Sequence, residues 1–273
     1  MYPILFEVFG RPVGTYGIFM LLGAVAAWFL VKLLDKTKNK DVPLVFLMCI
    51  CGGFIGAFLL RPITKIPELI INWEYFQQMP YEAVITFLFG EIVFYGGLIG
   101  GVIAMLLFCR KYSIRVLPMV DLFAPALAVA HGFGRLGCFF GGCCYGIQVH
   151  PSHPFAAIYP PISTITPAGI PLLATQLIEA TSLFVIAVIL VFVYKKTAGT
   201  GLAVCTYGIL YSILRFTLEF YRGDAARGVY GWFSTSQYIS MVLFAASIVF
   251  LMLIMRTVRG LTSQARHDTN PKP

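Results

Sequence analysis

Charge is scarce in this sequence: Asp, Glu, Lys and Arg together make 12% of its 273 residues, about half the share of an ordinary soluble domain. With 59% hydrophobic residues and a mean hydropathy of +0.83, that scarcity excludes a soluble globular fold and points to a membrane protein. The net charge of +8 is no nucleic-acid footprint, because it comes from short basic runs between apolar segments, which is the pattern of topological determinants. A cleavable signal peptide is not expected. Met1 to Gly14 contains Glu7, Arg11 and two prolines, lacks a basic n-region and runs directly into an apolar segment. No internal repeat is visible, which argues against a transporter built from repeated halves, and there is no second soluble domain. The Cys and His spacings match no zinc pattern, and the sequence calls for no metal and no cofactor.

What the sequence has is apolar length. Seven stretches, at about 15–34, 43–60, 84–109, 117–140, 172–194, 201–221 and 236–256, are long enough to cross a bilayer that takes roughly 20 residues. The expected fold is all-α: a polytopic membrane protein with seven transmembrane helices in one domain, residues 1–260, and a polar, disordered tail, residues 261–273. Orientation follows from the 20 basic residues. Lys32, Lys36, Lys38, Lys40, Arg110, Lys111, Arg115, Lys195, Lys196, Arg256, Arg259, Arg266 and Lys272 fall on one side; Arg11, Arg61, Lys65, Arg222 and Arg227 fall on the other. The excess marks the cytoplasmic face, so the N-terminus is expected outside and the C-terminus inside. Among the outer loops, the stretch around Ile66–Phe76 is amphipathic and suits the interface, whereas Gly146 to Pro171 is too proline-rich for a helix.

The charges that remain inside the spans are therefore informative. Glu91, Asp121, Arg135, Glu179, Arg215 and Glu219 are each costly to bury and are either functional or structurally paired. Arg135 sits in His131–Gly146, HGFGRLGCFFGGCCYG, where glycines allow close helix approach or leave room for a bulky ligand beside the charge. In RFTLEFYR, Arg215, Glu219 and Arg222 at i, i+4 and i+7 share one helical face. Two arginines from different spans suit the forked recognition of a phosphodiester. The alternative is purely structural, with Arg135 paired to Glu179 or Asp121 and Arg215 to Glu219. Most of this polar set, with Gln176, falls in the outer half of the membrane.

Several segments in order, VGTYGIFMLLG, YGGLIGG at 95–101, VDLFAPALAVAHGFGRLG at 120–137, ATQLIEA, YGILYSILRFTLEFYRGD and STSQYIS, resemble the phosphatidylglycerol–prolipoprotein diacylglyceryl transferases of bacterial inner membranes. The resemblance covers nearly the whole chain. It implies transfer of diacylglyceryl from phosphatidylglycerol, or a related anionic phospholipid, to the lipobox cysteine thiol of a prolipoprotein signal peptide, releasing glycerol 1-phosphate. That chemistry would take place at the outer leaflet of the bacterial cytoplasmic membrane. The family's essential arginine falls on Arg135, its sixth-span arginine, glutamate and second arginine on Arg215, Glu219 and Arg222, its N-terminal tyrosine on Tyr16 and its fourth-span aspartate on Asp121. Gly96, Gly97 and Gln176 join the implied substrate-binding set. Two departures stand in this region: Tyr95 replaces the histidine of HGGL, and Cys138, Gly141 and Cys143 replace two asparagines and a glutamate of GRxGNFxNxE.

For the altered site, Tyr95 is a poor base unless an arginine lowers its pKa. His131, at i−4 from Arg135, is either the base or a packed, hydrogen-bonded group. Cys138, Cys143 and Cys144 are open to four readings: a disulfide from Cys138 to one of the others, a metal site, thiols carrying an intermediate, or buried thiols. A paralogue with another acceptor, and a non-catalytic lipid-binding or transport protein, are the alternatives to the transferase.

Overall fold

The computed structural model describes residues 4–8, 11–89, 93–160, 166–224 and 228–268. In chain order, a hairpin of β1 (Ile4–Val8) and β2 (Arg11–Gly14) leads into α1 (Thr15–Leu34), α2 (Val42–Ile71), α3 (Trp73–Gln77), α4 (Tyr81–Phe89), α5 (Phe94–Lys111) and α6 (Val116–Gly141). A second hairpin, β3 (Ala156–Ile158) with β4 (Pro171–Leu173), precedes α7 (Thr175–Thr197) and α8 (Leu202–Glu219); a third, β5 (Val229–Tyr230) with β6 (Phe233–Ser234), precedes α9 (Thr235–Asp268). The protein is thus mostly helical, and three small antiparallel ribbons are added to the expected all-α plan. One of them uses the proline-rich stretch, which satisfies its backbone by pairing because it cannot do so by coiling.

Among the described residues six helices are long and apolar enough to cross a membrane: α1, α2, α6, α7, α8 and α9 up to Arg256. The stretch expected at 84–109 is described as α4 and α5, with 90–92, and so Glu91, outside the described residues. The helix expected to stop near residue 60 continues through Pro62 and Pro67 to Ile71; membrane helices tolerate proline where neighbours satisfy the freed carbonyls. The segment expected to lie in the interface is therefore the end of α2 plus α3. At the other terminus α9 reaches Asp268, so residues 261–268 of the expected disordered tail are helical. Extending an existing helix adds one hydrogen bond per residue without a nucleation cost.

The chain forms two compact units, Thr37–Val116 and the remainder, Met1–Lys36 with Leu117–Pro273. In the smaller unit α2 and α5 pack through facing glycines. A Cβ on Gly96 would stand 2.3 Å from the Gly56 carbonyl oxygen, and one on Gly100 the same distance from that of Gly52. Only glycine permits this approach. Gly96, expected in the substrate site, makes a helix contact, and Gly97 beside it faces Ala57.

In the larger unit Asp121 is fully buried near the start of α6. Its carboxylate accepts the N–H groups of Gly199 (3.0 Å), Ala203 (2.8 Å) and Val204 (3.3 Å). These are the turn before α8 and its first orphan donors, so Asp121 caps α8 from another helix. Asp121→Ala leaves three donors, one buried and two part-buried, without this acceptor and is expected to cost about 3 kcal/mol, read as a lower thermal midpoint of the purified protein; Asp121→Asn, which keeps an acceptor, loses less.

Candidate functional site

Alternating helix direction gathers the polar residues at one end of the larger unit. Arg135 lies six residues before the end of α6, Glu179 in the second turn of α7, and Arg215 and Glu219 in the last turns of α8. Asp121, fourteen residues before Arg135, is about 21 Å away along the helix and does not join them.

The centre of the cluster is Glu179, 3% exposed. Its Oε2 lies 3.1 Å from Arg135 Nε and 3.7 Å from Arg215 Nη1, and its Oε1 accepts from Tyr211 at 3.4 Å. Arg215 Nη2 contacts Glu219 Oε2 and Ser236 Oγ, each at 2.9 Å. The two arginines expected to converge do meet on Glu179, which lies between them, while Glu219 pairs with Arg215. Two guanidinium and two carboxylate groups cancel, which is what permits four buried charges. The pairing is uneven. Arg215 is held by three partners, whereas among the described residues Arg135 makes its ion pair through Nε alone, which leaves its terminal N–H groups as donors.

His131 is buried, its Nδ1 is 3.1 Å from Tyr207 Oη and its ring packs on Tyr211. Tyr207 and Tyr211 stack in parallel, 5.8 Å between centroids. The tyrosines were not singled out from the sequence, although Tyr207, Tyr211, Arg215 and Glu219 recur every four residues along one stripe of α8, the signal that would have found them. The helical face expected to run on to Arg222 ends at Glu219. Arg222 lies in the following loop, bridged to Gly146, and is taken by Asp224 through Nε at 2.8 Å and Nη2 at 2.5 Å.

Tyr16, in the first turn of α1, packs over Gly137, where a Cβ would stand 3.1 Å from its ring. Tyr95, like Gly96 and Gly97, lies in the first turn of α5 in the smaller unit. Gln176 is turned to the loop after α6: its Nε2 donates to the Cys143 carbonyl at 2.5 Å and lies 3.0 Å from the Tyr159 hydroxyl, whose pKa burial pushes up to about 12, so that it stays neutral.

That loop brings Cys138, Cys143 and Cys144 together as free thiols, all three sulfurs within 4.8 Å of one another. Hydrogen bonds with Cys138 and Cys143, and then the charges of Arg135 and Arg222, hold the Cys144 thiol below its ordinary range against the opposing effect of burial. Its thiolate should therefore persist as the pH falls below the usual thiol range. Alkylation of Cys144 by iodoacetamide in reduced protein, followed by peptide mass spectrometry, is expected to stay fast there, and Cys138→Ala should move it back toward the ordinary dependence.

The apolar helices and this buried arginine–glutamate cluster define a polytopic helical membrane protein with an ion-paired site at one end of its bundle. The sequence pattern of the prolipoprotein diacylglyceryl transferases matches residues 3–253. The chain is 36% identical over 244 residues to the phosphatidylglycerol–prolipoprotein diacylglyceryl transferase of Clostridium tetani, covering 88% of this chain and 93% of that one. It is 34% identical over 250 residues to the second such enzyme of Clostridium perfringens, covering 90% and 93%, and 29% identical over 260 residues to that of Gloeobacter violaceus, covering 93% of each. The chain belongs to the prolipoprotein diacylglyceryl transferase family.

Proposed function

We propose that the chain is a phospholipid-dependent transferase that moves diacylglyceryl from phosphatidylglycerol to the lipobox cysteine thiol of a prolipoprotein and releases glycerol 1-phosphate. The observation that carries this reading is the convergence of Arg135 and Arg215 on one anionic oxygen of Glu179. Non-bridging phosphate oxygens are acceptors of the same kind, and the terminal nitrogens of Arg135, which carry no ion pair among the described residues, can fork onto them. Fixed cations there oppose the charge that grows on phosphate as the glyceryl C–O bond breaks, in surroundings where such interaction is strong. Arg215 is a catalytic partner whose position Glu219 and Ser236 fix.

Tyr16, Gln176 and Arg222 line or brace the cysteine loop beside this cluster; Tyr95 and His131 are the candidate proton acceptors, His131 acting through its contacts with Tyr207 and Tyr211. Gly96, Gly97 and Asp121 serve by positioning helices. Between α8 and α9, a groove of about 320 Å³ lined by Ser212, Ile213, Phe216, Thr217, Ser240, Met241 and Phe244 is apolar enough for a length of acyl chain. The bias of basic residues supports seven spans, an outside N-terminus and a reaction at the outer leaflet.

The test is complementation. Expressed in bacteria depleted of their own transferase, the chain should restore diacylglyceryl-modified lipoprotein, detected by mass spectrometry of the modified cysteine. Folded protein without any modified lipoprotein would remove this acceptor.

A further inference from the structure

We infer that Cys138, Cys143 and Cys144 form a three-sulfur site for a thiophilic d10 metal ion, zinc in the first instance, whose fourth position takes the thiol of the acceptor. The metal site stands on the cysteine geometry alone; the acceptor thiol rests on the transferase reading.

The spacing of CxxxxCC matches no zinc pattern along the sequence, yet the fold closes it. Three sulfurs lie mutually within 4.8 Å. A tetrahedral zinc with sulfur ligands at about 2.3 Å has sulfur–sulfur edges of roughly 3.8 Å, so small side-chain rotations complete the set. A disulfide needs two of these sulfurs and leaves the third without purpose; a metal uses all three.

The loop is also built to hold them. Cys138 is in the last turn of α6, and the chain then turns back through two left-handed residues, Gly142 at φ 71° and Cys144 at φ 61°. That conformation is unusual for cysteine and persists only where its surroundings over-determine it. Here the Cys143 N–H donates to the Cys138 carbonyl at 3.1 Å, Gln176 holds the Cys143 carbonyl, Thr175 Oγ1 donates to the Cys144 carbonyl at 2.9 Å, and the Gly146 N–H donates to the Leu173 carbonyl at 2.8 Å. The backbone of every sulfur donor is thus tied to α6 or to the start of α7.

Among the described residues no fourth His, Cys, Asp or Glu joins the group. Three protein ligands with one position open is the pattern of catalytic rather than structural zinc. Three thiolates on Zn²⁺ carry a net charge of −1. Softness of the donors selects zinc or copper(I) over magnesium or calcium.

The chemistry suits alkylation of a thiol. The acceptor thiol binds the metal and releases its proton to water, since a coordinated thiol is deprotonated outright. Its sulfur lone pair forms the new bond to the glyceryl carbon, the C–O electron pair leaves on the phosphate oxygen, and the thioether, a weaker donor, departs from the metal. No protein base is then required, in a sequence that has Tyr95 where the resemblance places a histidine.

The test uses full-length protein in nanodiscs, reduced, stripped with chelator and reloaded with Zn²⁺ or, in a second arm, Cu⁺. About one zinc per chain by elemental analysis is expected, with three sulfurs at about 2.3 Å by X-ray absorption, and a fourth sulfur on adding a lipobox-cysteine peptide but not its serine counterpart. Cys138→Ser and Cys144→Ser should each weaken zinc binding by more than tenfold with unchanged circular dichroism, whereas Cys51→Ser should not. Three results each overturn the inference: folded wild-type protein that retains neither metal, a Cys138 disulfide to Cys143 or Cys144 in protein isolated without reductant, or no fourth sulfur with the peptide. Loaded protein that binds the peptide sulfur yet transfers nothing from phosphatidylglycerol would sink the transferase reading and leave the site. Transfer at an unchanged rate after stripping would do the reverse.

Discussion

Arg135→Ala is expected to lower kcat/KM for diacylglyceryl transfer by about 10³-fold, with a smaller loss of thermal midpoint than Glu179→Ala, because Glu179 keeps two of its partners. The asymmetry follows from the contacts. Among the described residues Arg135 makes its ion pair through Nε and a single carboxylate oxygen, and after its loss Glu179 keeps Arg215 and Tyr211. Its terminal nitrogens, by contrast, are the donors offered to phosphate, and their contribution grows as charge collects on the leaving group. Arg135→Lys should recover little, because one ammonium cannot hold Glu179 and fork onto a phosphodiester at once. The measurement is transfer from labelled phosphatidylglycerol to a lipobox peptide, with thermal unfolding in parallel. A lysine variant within tenfold of wild type would defeat forked recognition, and an alanine variant that unfolds would make Arg135 a structural group.

The sequence disclosed this pair because an arginine among apolar residues is conspicuous: Arg135 and Arg215 each interrupt a long membrane-spanning run. It also disclosed the fold class, since apolar runs of about 20 residues leave a chain few options in lipid. What it could not separate were charged residues with equal claims. Asp121 and Glu179 are both carboxylates within spans, yet one caps a helix and the other joins two arginines, and only the three-dimensional partner tells them apart. Gly96 was similarly ambiguous. A glycine pair after a tyrosine reads equally as room for a ligand or room for a helix, and the 2.3 Å approach to the Gly56 carbonyl is a non-local fact. The cysteine cluster was hidden by its turn: CxxxxCC becomes a triangle of sulfurs only because Gly142 and Cys144 take left-handed φ, which no periodicity encodes. The end of α8 at Glu219 is a terminal boundary of the kind that pattern alone places least well.

Glu179→Ala should produce the largest loss of stability in the protein, about 3–5 kcal/mol. Wild type buries two cations and two anions in a mutually neutralising group; the alanine variant leaves Arg135 and Arg215 facing each other with Glu219 alone to compensate. Glu179→Gln keeps a carbonyl oxygen for Arg135 and Tyr211 and is expected to lose about half as much, the difference reporting the charge rather than the hydrogen bonds. The double variant Glu179→Ala with Arg135→Ala restores the balance of one cation to one anion. It should therefore be more stable than Glu179→Ala alone, a coupling that a double-mutant cycle of unfolding free energies measures. Activity should not follow stability. The double variant has lost the guanidinium that meets phosphate and should remain as inactive as Arg135→Ala. Recovered stability without recovered transfer is the pattern required of a carboxylate that holds two arginines in place for an anion from outside the protein. If the double variant is no more stable than Glu179→Ala, the carboxylate is not what keeps the two arginines together.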